Sequence, residues 1–117
     1  MPPGVEQRRH PRRRADEEVF VTDVLRERRV GRLGDLSVGG MMLIADRPLR
    51  EDALYQFRFE LRDAAGRSRP IEVGVHELWS ASLQGGATLI GFRIIDIAPE
   101  DERRIAHWVQ HGHLGGG

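Results

Sequence analysis

Between Tyr55 and Arg62 apolar and polar residues alternate without a break: Tyr-Gln-Phe-Arg-Phe-Glu-Leu-Arg. A period of two places the apolar set on one face of an extended strand, and no helix can do the same. Ile71 to His76 repeats the rule. Leu89 to Ile97 is richer in apolar residues, and Ile94-Ile95 breaks the alternation there, as a bulge or burial on both faces would. Val19 to Leu25, Gly31 to Leu36 and Gly40 to Ala45 are further strand candidates. Turn signals separate them at Arg26–Arg28, Gly34–Gly40, Pro48–Asp52, Ala64–Gly66 and Gln84–Gly86. Six short strands with turns every ten residues or so predict an antiparallel barrel or sandwich.

The chain ends differently. Ala98-Pro99-Glu100-Asp101-Glu102 puts proline and three acids in a first helical turn, at the positive end of the dipole. Ile105, Trp108 and Val109 then form one apolar stripe, and Gly112 supplies a left-handed stop. The helix is expected to pack on the sheet or to plug one end of a barrel.

At 117 residues, 39% of them hydrophobic, the chain suits one domain with one modest core. It divides into a basic, flexible arm over 1–15, a barrel with its helix over 16–112, and a tail over 113–117. No cysteine is present, which excludes disulfides, thiolate metal sites and a cysteine nucleophile. No apolar run is long enough to cross a membrane, and no apolar segment follows the basic start as a signal peptide requires. A cytoplasmic location is expected.

All eighteen cationic side chains are arginine, and eighteen acids balance them. The balance is uneven along the chain. Residues 1–14 carry five arginines against one glutamate, so a net +4 head sits on a −4 body. Such a head suits a local anion site better than a generally nucleic-acid-binding surface. The cluster is Arg8-Arg9-His10-Pro11-Arg12-Arg13-Arg14. Pro11 biases His10 toward extended backbone, so the cluster reads as a loop presenting guanidinium groups. Taken alone it is equally a solvated tail.

A second feature lies between two strand candidates: Asp35-Leu36-Ser37-Val38-Gly39-Gly40. Aspartate and serine favour turns by bonding nearby backbone donors, and the two glycines let another molecule approach the backbone closely. Taken alone it is an ordinary turn. In this order and spacing, however, Arg8-Arg9-His10-Pro11-Arg12 and Asp35-Leu36-Ser37-Val38-Gly39-Gly40 resemble the paired RxxxR and [D/N]xSxxG signature of the PilZ family, bacterial receptors for cyclic di-GMP. Gly91-Phe92-Arg93-Ile94-Ile95-Asp96 resembles the family's late strand, a glycine followed by an aromatic. The resemblance covers nearly the whole chain. It implies a six-stranded antiparallel barrel with a C-terminal helix, in agreement with the periodicity.

It also implies ligand binding by Arg8, Arg12, Asp35, Ser37 and Gly40, with Arg9 and Gly39 beside the ligand. The chemistry suits these residues. Arginine grips phosphate oxygens or guanine O6 and N7 with paired hydrogen bonds. A carboxylate accepts from guanine N1–H and the 2-amino group, the role given to Asp35. Ser37 can add a hydroxyl contact and Gly40 a close backbone approach. Arg13 and Arg14 fall outside the matched motif. Gln7 stands where many members have another arginine, so one ligand or a stacked pair remains open. Trp79, at the end of the strand Ile71 to Leu78, is either a stacking partner for a guanine or a tryptophan of the core or rim.

The implied function is a cyclic di-GMP receptor or adaptor whose arm is drawn onto the barrel by ligand, the changed surface being read by a protein partner. Two other classes stay open: a protein-interaction domain of the same fold that binds no nucleotide, and a small barrel for single-stranded nucleic acid. The second would interleave aromatic and basic residues on strands, whereas aromatics are only 6% here. DNA or RNA is therefore not an expected partner. His107, His111 and His113 have helical spacing for metal, but no acid accompanies them, so no metal is expected. No phosphate-cradling GxxxxGK[ST], GxSxG or cysteine pair points to an enzyme or to a cofactor.

Overall fold

The computed structural model describes residues 10–115. Their elements are β1 (Arg13–Arg14), β2 (Phe20–Asp23), β3 (Arg28–Leu36), β4 (Gly40–Ala45), β5 (Leu54–Arg62), β6 (Ser68–Ser82), β7 (Thr88–Ile97) and α1 (Pro99–His111). Every strand pairing is antiparallel. The neighbours run β3-β2-β5-β6-β7-β4, and β4 pairs with β3 again, so six strands close into a barrel. Closure removes the open edges that would otherwise invite further strand pairing.

The alternation at Tyr55–Arg62 does what its period dictates. Tyr55, Phe57, Phe59 and Leu61 point into the barrel, and Gln56, Arg58, Glu60 and Arg62 point away. Ile71, Val73, Val75, Ile90 and Phe92 meet them, with Leu33, Leu36, Met41 and Leu43 from the β3–β4 side. The rings of Tyr55, Phe57 and Phe92 lie 5.1–6.1 Å apart, two of the three pairs edge-on. Ile105 and Trp108 of α1 join the same core.

The break at Ile94-Ile95 is a bulge. Val75 pairs with Ile94 and Gly74 with Asp96, which leaves Ile95 unpaired and half exposed. A second bulge leaves out Leu78, between the pairs Glu77↔Phe92 and Trp79↔Gly91. The exposed Leu78 and Ile95 are thus the extra residues of bulges.

Several boundaries differ from the sequence reading. β3 begins at Arg28, inside the expected turn, because the chain reverses over Val24–Glu27 with Glu27 at φ 51. β6 does not end at Leu78 but continues to Ser82, paired with β7 throughout. Trp79 is therefore within a strand, not at its end. Arg13–Arg14 of the expected arm forms β1, pairing with Leu36 and Asp35 of β3. β1 and β2 share the same side of β3, one after the other, so β1 lengthens the wall beside the 35–40 turn.

The helix starts on Pro99, with Glu100, Asp101 and Glu102 in its first turn, and ends on Gly112 at φ 83, whose N–H donates to the Trp108 carbonyl. Beyond it, a ring nitrogen of His107 donates to the His113 carbonyl at 2.9 Å and His113 to that of Leu114 at 3.0 Å. A carbonyl can only accept, so Nδ1 carries the proton in both rings. Leu114 then donates to Arg62 at 2.9 Å and forms an isolated bridge with Asp63.

Candidate ligand-binding face

The 35–40 segment is the reversal between β3 and β4. Ser37 is buried and its Oγ accepts from Gly39 and Gly40 N–H at 3.2 and 3.1 Å. The Ser37 N–H donates to the Gly40 carbonyl at 2.8 Å, and its hydroxyl lies 3.3 Å from the same oxygen. The hydroxyl expected to reach a ligand is thus engaged in holding the turn. A side chain at Gly40 would meet the Phe92 carbonyl at 2.7 Å, so only glycine lets β4 lie so close to β7.

The arm crosses this turn. A methyl at Gly39 would come within 2.7 Å of His10 Cδ2, and the Arg12 guanidinium lies 3.6 Å from where a methyl of Gly40 would be. Arg12 Nη1 donates to Asp35 Oδ1 at 3.1 Å, with the two side chains 42% and 20% exposed. The structure thus brings Arg12, Asp35, Ser37, Gly39 and Gly40 together. Arg8 and Arg9 lie outside the described residues.

Register extends the face across the barrel. Asp35 pairs with Met42, Met42 with Gly91, and Gly91 with Trp79. Directly paired residues share a face of the sheet, so this row runs over the outside of β3, β4, β7 and β6. Three strand steps separate Asp35 from Trp79, about 14 Å. The Trp79 indole covers Gly91, with Nε1 and Cε2 at the place a Cβ would take, and the residue is 45% exposed. Trp79 is an outer-wall tryptophan and not a core one.

Two cations of the face escape motif reasoning. Arg14 pairs with Asp35 across β1–β3, at the near end of the row. Arg93 is exposed and pairs with Gly40 across β4–β7. Counting by two from Gly91 would have placed Arg93 on the outer face; nothing short of the β1 register reveals Arg14. A cavity of about 390 Å³ lies elsewhere, at the β2–β5 seam between Phe20, Arg29, Arg58 and Arg62. It holds none of the motif residues. The rings of His107, His111 and His113, at and just beyond the end of α1, lie 4.3–6.0 Å from one another. Among the described residues no cluster of three His, Cys, Asp or Glu side chains could hold a metal ion. No helix among them is long and apolar enough to cross a membrane.

A closed barrel with an arginine–carboxylate pair and a glycine gap on its outer wall has the build of a small ligand-binding domain. Residues 6–111 match the family model of the PilZ domain, and the chain belongs to that family. Solved structures share the fold. The Bacillus subtilis inhibitor of motility MotI/DgrA matches at TM-score 0.70 and 18% identity, over 96% of this chain and 56% of its own. YcgR from Escherichia coli, in complex with c-di-GMP, matches at TM-score 0.69 and 21% identity, over 89% of this chain and 45% of its own. The PilZ domain of YcgR with c-di-GMP matches at TM-score 0.59 and 19% identity, over 89% of each chain. The chain spans about half the length of the first two proteins. No curated protein matches it.

Proposed function

We propose that this chain binds cyclic di-GMP on the outer face between Arg12 and Trp79, and acts as a receptor or adaptor, not as an enzyme. The observation that carries the reading is the Arg12–Asp35 pair beside Gly40. An exposed ion pair of this kind contributes only about 0–1 kcal/mol, so exchanging it for ligand contacts costs little. Arg12 would turn to a phosphate or to guanine O6 and N7, and Asp35 would accept from the opposite guanine edge. Arg8 and Arg9 would close from the arm, Gly39 and Gly40 would leave room at the backbone, and Ser37 would keep the turn rigid. Trp79 would stack on a guanine, with Arg14 and Arg93 adding positive charge beside the phosphates. The structures of YcgR with c-di-GMP, which share this fold, support the choice of ligand.

The change of surface on the barrel, with the arm drawn down, would be the signal read by a protein partner inside the cell. Calorimetry tests the reading. Wild-type protein should give saturable heat with micromolar cyclic di-GMP, and Arg12→Ala should weaken binding by about 1.5–3 kcal/mol, as for a charged hydrogen bond. Binding of mixed single-stranded oligonucleotides with steep salt dependence, and none of cyclic di-GMP, would replace the reading with a nucleic-acid barrel. Neither ligand binding would leave a pure protein-interaction domain.

A further inference from the structure

Arg12 and Arg13 are consecutive, yet their side chains have opposite destinations. Along an extended backbone neighbouring side chains leave on opposite sides. The Arg12 guanidinium goes to Asp35 on the candidate face. That of Arg13 goes to the last turn of α1, where Nη1 donates to the Val109 carbonyl at 3.1 Å. The last four carbonyls of a helix lack an intrahelical donor. Gly112 N–H satisfies Trp108, and Arg13 supplies the donor for the next. Its charge also sits at the negative end of the helix dipole.

Gly112 belongs to the same arrangement. A methyl there would come 2.8 Å from Arg13 Nη2 and 3.2 Å from Cζ. The residue that ends the helix therefore also leaves the space the guanidinium fills. β1 keeps the geometry in register, with Arg13 opposite Leu36 and Arg14 opposite Asp35. Arg12 and Arg13 share a peptide unit, so any displacement of the Arg12 backbone toward a ligand is transmitted to Arg13 and its contact with Val109.

We propose that Arg13 is a positioning residue that couples the ligand-contacting Arg12 to the C-terminal turn of α1. The state of the face is thereby passed to the helix end formed by Val109–Leu114. The identity of the ligand rests on the reading above; the coupling rests on the Arg13 contacts alone. Coupling is reciprocal, so a partner that grips the end of α1 raises ligand affinity by the factor with which ligand raises its own.

Amide hydrogen exchange on the full chain tests the link. In wild-type protein cyclic di-GMP should slow exchange over 109–114 by about fivefold or more, the lower end of ordinary coupling. In Arg13→Ala the ligand should still bind, more weakly, but the slowing should vanish; Arg13→Lys should restore part of it. Equal slowing in Arg13→Ala, or none in wild type with ligand bound, overturns the proposal. If calorimetry shows that wild type does not bind cyclic di-GMP, the ligand reading fails and the link is read without ligand. Asp35→Ala, which removes the hold on Arg12, should then speed exchange over 109–114 in the Arg13 protein and add nothing in Arg13→Ala. Additive effects in that cycle overturn the coupling. Unchanged melting temperatures separate a lost link from a damaged barrel.

Discussion

Asp35 and Asp63 show how one residue type takes two roles. Asp35 keeps a partly exposed carboxylate that accepts from the guanidinium of Arg12, and it has capacity left for a ligand. Asp63 has none to spare. Its oxygens accept from Ala65 N–H at 3.0 Å, Arg67 N–H at 2.9 Å and Arg69 Nε at 3.3 Å, closing the β5–β6 turn. The Arg67 N–H, more than any other group, holds the Asp63 carboxyl below its usual value, with Arg69, Ala65 and the Arg67 charge adding to it against the effect of burial. A depressed folded-state value means the unfolded chain binds the proton first as pH falls. The stability Asp63 contributes is therefore complete above the unfolded value of about 4 and is lost as pH falls through the lower folded one. Thermal melts from pH 7 to 2 should show Asp63→Asn less stable than wild type at pH 7, with a shallower fall below about pH 4. An equal fall in both proteins would contradict this.

At the scale of elements, the face depends on strand register. Trp79 lies on the outer wall because Gly91, directly opposite on β7, has no side chain to displace it. Gly91→Ala should push the indole off the strand while the barrel stays folded. If Trp79 stacks on a guanine, affinity for cyclic di-GMP should fall by about 1–3 kcal/mol, the value of one base–aromatic stack. Unchanged affinity, with tryptophan fluorescence showing the indole moved, would remove Trp79 from the face. The strands themselves were largely legible, because Tyr55–Arg62 has to bury every second residue and Ile94-Ile95 has to break the pattern. β1 was not: Arg13–Arg14 has no apolar pattern, and its pairing is backbone to backbone with a strand more than twenty residues away. The continuation of β6 past Leu78 was hidden by the bulge, which shifts the alternation by one. The Trp79–Gly91 pairing needs a register that one strand's sequence does not contain.

At the scale of the whole molecule, barrel closure brings residues far apart in sequence onto one wall. Arg12, Asp35 and Trp79 belong to three separate segments; β3, β4, β7 and β6 set Asp35 and Trp79 in one row, and Arg12 joins it at Asp35. The two motifs were legible as a pair. The barrel adds what lies between and beyond them: Arg93 opposite Gly40, Arg14 opposite Asp35, and a wall that leads away from the turn to Trp79. It also separates this wall from the β2–β5 cavity, which offers a ligand a competing place to bind. The two tryptophans distinguish the outcomes, since Trp79 is on the wall and Trp108 is buried in the core. The most direct measurement is a nitrogen-15 NMR titration of the full chain with cyclic di-GMP. The largest shifts are expected at the amides of Asp35–Gly40, at Gly91 and Arg93, and at the indole N–H of Trp79, which should move further than that of Trp108. No shifts at saturating ligand, or shifts centred on Phe20, Arg29 and Arg58 of the seam, would contradict it.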